Sequence, residues 1–275
     1  MHLLPQFLVA SLLALLVAVA AYYFKALSFS GAAAAFLLGS IVFGLGGLEW
    51  AIILIVFFVT SSGLSFLFRR RKSKLEEKFS KGSRRDAGQV IANGGMAGLM
   101  VLLHFAFPQS LLPWAGFCGA LAAATADTWA TELGVLSPRQ PRLLSNWKPV
   151  PAGTSGGVSL TGTAAALFGS LVIALSCLIC WPLTGFEGSL GWVVSAVVLF
   201  SGLAGSLVDS LLGATIQAVY HCPVCDKETE KHPLHSCGTA TQRVRGLAWL
   251  NNDWVNLFCT AGAVILAITL IAIIQ

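Results

Sequence analysis

The feature that most constrains this chain is a repeat of apolar stretches, each near the length of a bilayer crossing, joined by polar segments. They cover residues 3–24, 27–45, 50–68, 87–107, 112–133, 159–181, 190–219 and 252–274. A helix needs roughly 20 apolar residues to cross the hydrocarbon core. Inside lipid the backbone must satisfy its own polar groups, so such stretches read as helices. Only 11% of the residues are charged, against about 25% in a typical soluble domain. That excludes a soluble cytosolic enzyme, a disordered chain and a secreted disulfide scaffold. The expected fold is all-α: a single polytopic membrane bundle over residues 1–275, with eight transmembrane helices.

The cations test this count. Lys25 follows the first stretch, and nine cations between Arg69 and Arg85 follow the third. Arg139, Arg142 and Lys148 follow the fifth; Lys227, Lys231, Arg243 and Arg245 follow the seventh. With eight helices, all 17 Lys and Arg residues fall on one face. The positive-inside rule makes that face cytoplasmic. The net charge of +5 is then a topology signal, and no nucleic-acid partner is expected. Ala18-Val19-Ala20 resembles a signal-peptide cleavage site, but no basic segment precedes it, so the first stretch is expected to remain as a helix, with both termini outside. The basic cytoplasmic loop 69–86 suits anionic headgroups, and Arg84 and Arg85 are best placed to reach a bound phosphate.

Ionisable groups at membrane depth cost several kcal/mol unless paired, hydrated or bound to a cation. Five acids sit at the same cytoplasmic boundary: Asp86, Asp127, Glu132, Asp209 and Asp253. Helical spacing places Asp86, Gln89 and Asn93 on one face, Asp209, Gly213 and Gln217 on another, and Asn252, Asp253 and Asn256 on a third. Leu121–Asp127 faintly echoes Leu203–Asp209, which puts Asp127 and Asp209 at equivalent depths. Two carboxylates meeting there need a cation between them. The loop after the fifth stretch contains Lys148 and then Gly153-Thr154-Ser155-Gly156-Gly157, leading straight into a helix. Backbone amides at a helix start bind anions, and glycine allows close approach. Cations, amides and carboxylates in one layer make the inventory for a nucleotide phosphate chain with Mg²⁺.

A further loop, 220–247, holds Cys222-Pro223-Val224-Cys225 and then His235-Ser236-Cys237. This spacing suits a tetrahedral structural Zn²⁺ on Cys222, Cys225, Cys237 and His235, with His221 and His232 as competing ligands. The other four cysteines, Cys118, Cys177, Cys180 and Cys259, lie in apolar runs and read as small core residues.

At five blocks the sequence resembles a known family. These are Arg85-Asp86-Ala87 with Gln89 and Asn93-Gly94; Asp127-Thr128 with Glu132-Leu133-Gly134; Gly153-Thr154 with Gly156-Gly157-Val158-Ser159 and Gly162; Asp209-Ser210-Leu211-Leu212-Gly213 with Gln217; and Asn252-Asp253 with Asn256. The family comprises polytopic membrane proteins that include eukaryotic transmembrane protein nineteen and the phytyl-phosphate kinase of vitamin E (tocopherol) synthesis. The Cys/His loop looks like the version in transmembrane protein nineteen. The resemblance implies a CTP-dependent kinase that converts an isoprenoid monophosphate such as phytyl phosphate to the diphosphate at the membrane.

The expected site therefore has Asp127, Glu132 and Asp209 as catalytic carboxylates on Mg²⁺. Arg85, Asp86, Asn93, Lys148, Gly153, Thr154, Gly156, Gly157, Ser210, Gln217, Asn252, Asp253 and Asn256 would bind the nucleotide or phosphate. The partners implied are a nucleoside triphosphate, an isoprenoid lipid phosphate and the bilayer. Rival readings of the same residues are a prenol kinase, a lipid cytidylyltransferase, and a cation-coupled transporter or lipid-handling protein without catalysis.

Overall fold

The computed structural model describes residues 3–72, 84–186 and 188–274. Eight α-helices occupy the eight apolar stretches: α1 (Leu3–Tyr23), α2 (Phe29–Ile41), α3 (Leu48–Lys72), α4 (Ala87–Ala106), α5 (Leu112–Gly134), α6 (Leu160–Cys180), α7 (Leu190–Thr215) and α8 (Asn252–Ile274). A π-helical turn, Val42–Gly46, extends α2. Seven of the eight helices are long and apolar enough to cross a bilayer.

The remaining helix, α5, is the centre of the bundle. Every residue from Pro113 to Ala126 is buried, and α3, α4, α6, α7 and α8 pack around it. Small residues bring these neighbours close: a Cβ added to Gly205 of α7 would stand 2.6 Å from the Cβ of Ala123. A helix enclosed by protein need not be uniformly apolar, so α5 can carry carboxylates in its last turns. Its two ends differ sharply. At the first, Trp114 and Phe117 pack on Trp50 of α3 with ring centroids 5.0 and 4.7 Å away. At the second lie Asp127, Thr128, Thr131 and Glu132.

The segment before α4 is tied under the α1–α2 connection. Arg85 N–H donates to Ala26 O at 3.0 Å, and Ser28 N–H donates to Arg85 O at 2.9 Å. This fixes the backbone from which the Arg85 side chain projects. The expected basic loop begins as helix, since α3 runs on to Lys72; residues 73–83 lie outside the described residues.

Two small sheets lie at the cation-bearing end. β1 (Arg142–Leu143) pairs antiparallel with β2 (Gly157–Val158). The seventh apolar stretch stops short of its expected end at residue 219. Helix α7 ends at Thr215, and Val219 opens β3 (Val219–Cys222). β3 is the middle strand of an antiparallel sheet with β4 (Lys227–Thr229) and β5 (Gln242–Arg245). The chain leaves the helix there because its backbone finds partners downstream: Ala218 N–H donates to Leu250 O and Leu247 N–H to Ile216 O, both at 2.9 Å. The 220–247 loop is thus a small folded unit docked on the end of α7.

Candidate functional site

An alternating chain direction decides the chemistry of the cation-bearing end. Helices α5 and α7 finish there, whereas α4, α6 and α8 begin there. Helix N-termini present free N–H groups and a partial positive charge, and C-termini the reverse. Three anion-attracting ends therefore meet two helices that carry carboxylates. Glu132, in the last turn of α5, sits where the helix dipole disfavours a negative charge. A cation nearby offsets that cost.

Between these ends lies a cavity of about 250 Å³. Of the residues singled out in the sequence, it is lined by Arg85, Asn93, Asp127, Glu132, Gly153, Thr154, Gly156, Gly157, Asp209, Ser210, Asn252 and Asn256. The echo between α5 and α7 is realised in space, since Asp127 and Asp209 face the same cavity. Buried Glu132 accepts a hydrogen bond from Ser65 Oγ of α3 at 2.8 Å. Arg85 faces Glu132; burial pulls its guanidinium below the ordinary arginine value, and the Glu132 carboxylate partly restores it. Its guanidinium carbon also stands 5.8 Å from the centre of the Phe57 ring. Asp209 lies within electrostatic reach of Asp127 and Glu230. Its Oδ2 is buried and has no hydrogen-bond partner among the described residues.

The glycine loop reaches the cavity through a close fit. Gly156 has φ +79°, and a Cβ there would lie 2.1 Å from the backbone nitrogen of Ala214 in α7. Only glycine meets both conditions. Two of the loop's amides are used internally: Thr154 N–H donates to Pro151 O and Gly157 N–H to Thr154 O. At the start of α6, Ser159 caps Gly162 N–H at 3.1 Å, and Ser159, Gly162 and Thr163 line the cavity.

Four residues expected at the site stand elsewhere. Asp86 caps α4 in a reciprocal pair with Gln89, a structural use that its position at a helix start favours. Lys148 is exposed in the connection between β1 and β2 and does not line the cavity. Asp253 occupies the first turn of α8, where its N–H is capped by Asn251 Oδ1 at 3.0 Å. Gln217 is buried behind the wall, accepting from Ser155 Oγ and donating to Glu230 Oε1 at 3.0 Å.

Other lining residues went unassigned in the sequence: Ser65, Gln89, Thr128, Ser206 and Glu230. Gln89 shares a helical face with Asn93, which was a usable signal, and Ser65 is a polar residue within an apolar run. Glu230 had no local signal, because an acid in a polar loop is ordinary.

Can these residues hold Mg²⁺? It takes hard oxygen ligands and keeps some of its waters. Asp127, Glu132 and Asp209 offer carboxylate oxygens in one polar cavity, and the unpartnered Asp209 Oδ2 is the kind of atom a cation would satisfy. The donor set fits.

Beside this cavity lies a smaller apolar pocket of about 70 Å³ formed by α1 to α4. Arg85, Gln89 and Asn93 line both. The Cys/His unit follows α7, and its Glu230 lines the polar cavity. Cys222, Cys225, His235 and Cys237 gather there with their ligand atoms within 4.8 Å of one another. The Cys237 thiol is lowered to about 5, chiefly by the Thr239 hydroxyl and then by His235.

With the geometry in hand, the likeness to known proteins is direct. Residues 12–264 match the family described as integral membrane protein DUF92, and the chain belongs to it. Protein PGR of Arabidopsis thaliana is 35% identical over 271 residues, covering 92% of each chain. An uncharacterised membrane protein of Methanocaldococcus jannaschii is 32% identical over 66% of this chain and 71% of its own. The chloroplastic protein VTE6 of Arabidopsis thaliana is 28% identical over 84% of this chain and 61% of its own length. These relatives bear out the family resemblance read from the five blocks. No solved structure matches.

Proposed function

We propose that this protein is a membrane-embedded kinase. It would transfer the terminal phosphoryl group of CTP to an isoprenoid monophosphate such as phytyl phosphate, at the cytoplasmic face. The observation that carries this reading is the junction at Arg85, Gln89 and Asn93, which line both a polar cavity and an apolar pocket among helices. An amphiphilic acceptor fits that junction, its tail among α1 to α4 and its phosphate at Arg85. The nucleotide phosphates would then lie against the glycine loop and the start of α6. The choice of CTP, and of a substrate from vitamin E synthesis, follows the resemblance to the phytyl-phosphate kinase family.

In the reaction an oxygen of the acceptor phosphate attacks the γ-phosphorus. The bond from that phosphorus to the β–γ bridging oxygen breaks, and CDP leaves with the electron pair. The acceptor is ionised near neutral pH, its second pKa being about 6. No side chain has to remove a proton, so positioning and charge neutralisation supply the catalysis. Arg85 holds the acceptor against electrostatic repulsion from the donor. Asn93, Asn252 and Asn256 orient oxygens by hydrogen bonding. Asp127, Glu132 and Asp209 would hold Mg²⁺, which neutralises charge on the transferring group when bound.

The test supplies purified protein with labelled CTP, Mg²⁺ and a panel of prenyl alcohols and prenyl monophosphates. The expected product is labelled lipid diphosphate, formed from the monophosphates alone. Label appearing in a lipid monophosphate would indicate a prenol kinase, and its absence from every lipid would overturn the kinase reading.

A further inference from the structure

The 220–247 unit poses a folding problem. Most of residues 223–247 are exposed, and the only members of that stretch that are buried are Thr229 and His235. A segment this small has too little apolar area to hold a defined shape and usually needs a disulfide or a metal. Yet it keeps Glu230 in the wall of the phosphate cavity. Something other than an apolar core must fix it.

We propose that Cys222, Cys225, His235 and Cys237 form a tetrahedral Zn²⁺ site that holds Glu230 in the cavity wall. Two tight turns present the four ligands. The first joins β3 to β4, with Asp226 N–H donating to Cys222 O at 2.9 Å. The second is closed by Gly238 N–H on His235 O and His235 N–H on Thr239 O, both at 2.9 Å. The Sγ atoms of Cys222 and Cys237 are 3.5 Å apart, and His235 Nδ1 is 3.3 Å from Cys237 Sγ. A disulfide brings sulfurs to about 2.05 Å. Zinc–sulfur bonds of about 2.3 Å place two sulfurs on a tetrahedron about 3.8 Å apart. The observed spacings suit the metal, and Cys222, Cys225 and Cys237 are all outside any disulfide.

The rival histidines are occupied otherwise. His221 Nε2 pairs with Asp226 at 3.0 Å. His232 stacks on Tyr220 with ring centroids 4.4 Å apart and planes 12° from parallel. Three thiolates with one imidazole select zinc, and four protein ligands leave no open position, which marks the site as structural.

The link to the cavity is short. Cys222 closes β3 and Cys225 lies in the turn into β4; Thr229 ends β4 and is itself buried; Glu230 follows and accepts from Gln217. Gln217 in turn holds Ser155 of the glycine loop. Metal loss should therefore loosen one wall of the cavity. The zinc assignment stands apart from the kinase reading, whereas its effect on nucleotide binding rests on that reading.

The experiment uses the full chain purified in detergent without chelators. Elemental analysis should find about one zinc per chain, reduced at least about fivefold in Cys222→Ser and Cys225→Ser and unchanged in His221→Ala and His232→Ala. Cobalt exchanged into wild-type protein should show thiolate-to-cobalt absorption, which decides the matter if the cysteine variants fail to fold. Stripping the metal should open tryptic cleavage at Lys227 and Lys231 and weaken binding of a fluorescent CTP analogue severalfold. Folded wild-type protein without zinc, or full zinc in Cys222→Ser, would overturn the site. Unchanged cleavage after stripping would overturn its role in holding Glu230. Loss of nucleotide binding by zinc-loaded wild-type protein would overturn the kinase reading and leave the zinc site standing.

Discussion

Replacing Asp209 by asparagine should move stability and activity in opposite directions. The change keeps shape and removes one negative charge from a cavity where Asp127 and Glu230 act on it. A cavity of about 250 Å³ is, taken as a sphere, roughly 8 Å across. Two unit charges at that separation interact by about 2 kcal/mol at an effective dielectric of about 20. Two such carboxylates facing Asp209 set an upper bound of about 4 kcal/mol on the cost of its charge in metal-free protein, felt either as repulsion or as the cost of taking up a proton. Asp209→Asn removes that repulsion, and its amide gives the buried Oδ2 position a donor for a neighbouring carboxylate. In chelator, the thermal midpoint of the variant should rise by several degrees above wild type. With Mg²⁺ the order should reverse or close, because wild type gains a ligand set that the variant lacks. Turnover should fall by about a hundredfold or more, the scale of losing one preorganised electrostatic partner of the transition state. Thermal unfolding with and without chelator, followed by kinase assay of the same samples, reads all three. A folded variant with unchanged turnover would refute the assignment of Asp209 to the metal, and a lower midpoint in chelator would refute the repulsion argument.

Other changes test separate parts of the site. Gly156→Ala should prevent accumulation of folded protein, since its Cβ would meet the Ala214 backbone at 2.1 Å in a left-handed conformation; expression and size-exclusion profiles show it. Gly94→Val should raise KM for long prenyl monophosphates more than for short ones, because a Cβ at Gly94 already meets Leu38 at 2.4 Å in the apolar pocket. Lys148→Ala should leave kcat/KM within about twofold of wild type, as expected for an exposed surface change. Arg85→Gln should raise KM for the acceptor more than for CTP, measured by varying each substrate in turn. Cysteine-accessibility labelling should place residues near Gly153 and near Lys231 on the same, cytoplasmic side.

The bundle was legible because lipid leaves so few options. Apolar stretches of roughly 20 residues must be helices in lipid, and the one-sided cations set their count. Helix α5 departs from the pattern for the same physical reason that makes it central: enclosed by five neighbours, it no longer needs the hydropathy of a lipid-facing helix. Asp127, Glu132 and Asp209 could be picked out because an acid at membrane depth is costly without a purpose. Asp86 and Asp253 stood out equally in the sequence, but they sit at helix starts, where a carboxylate caps the helix or offsets its dipole without a ligand. Lys148 is near the glycine loop in sequence and apart from the cavity in space, since its direction depends on the β1–β2 ladder, which forms only after the chain folds back. Glu230 was invisible for the converse reason. Its place in the cavity depends on Gln217, thirteen residues earlier, and on a cysteine-rich unit whose partnership with the cavity no local pattern announces.

The central claim is that one cavity brings a nucleotide's terminal phosphate to a lipid phosphate. CTP labelled at the γ position and, separately, at the α position tests it directly with purified protein, Mg²⁺ and phytyl phosphate. The expected outcome is γ-label in phytyl diphosphate, α-label remaining in CDP, and the two products formed in equal amounts. Transfer of the α-label to lipid, or no transfer of either label by folded zinc-loaded protein, would contradict it.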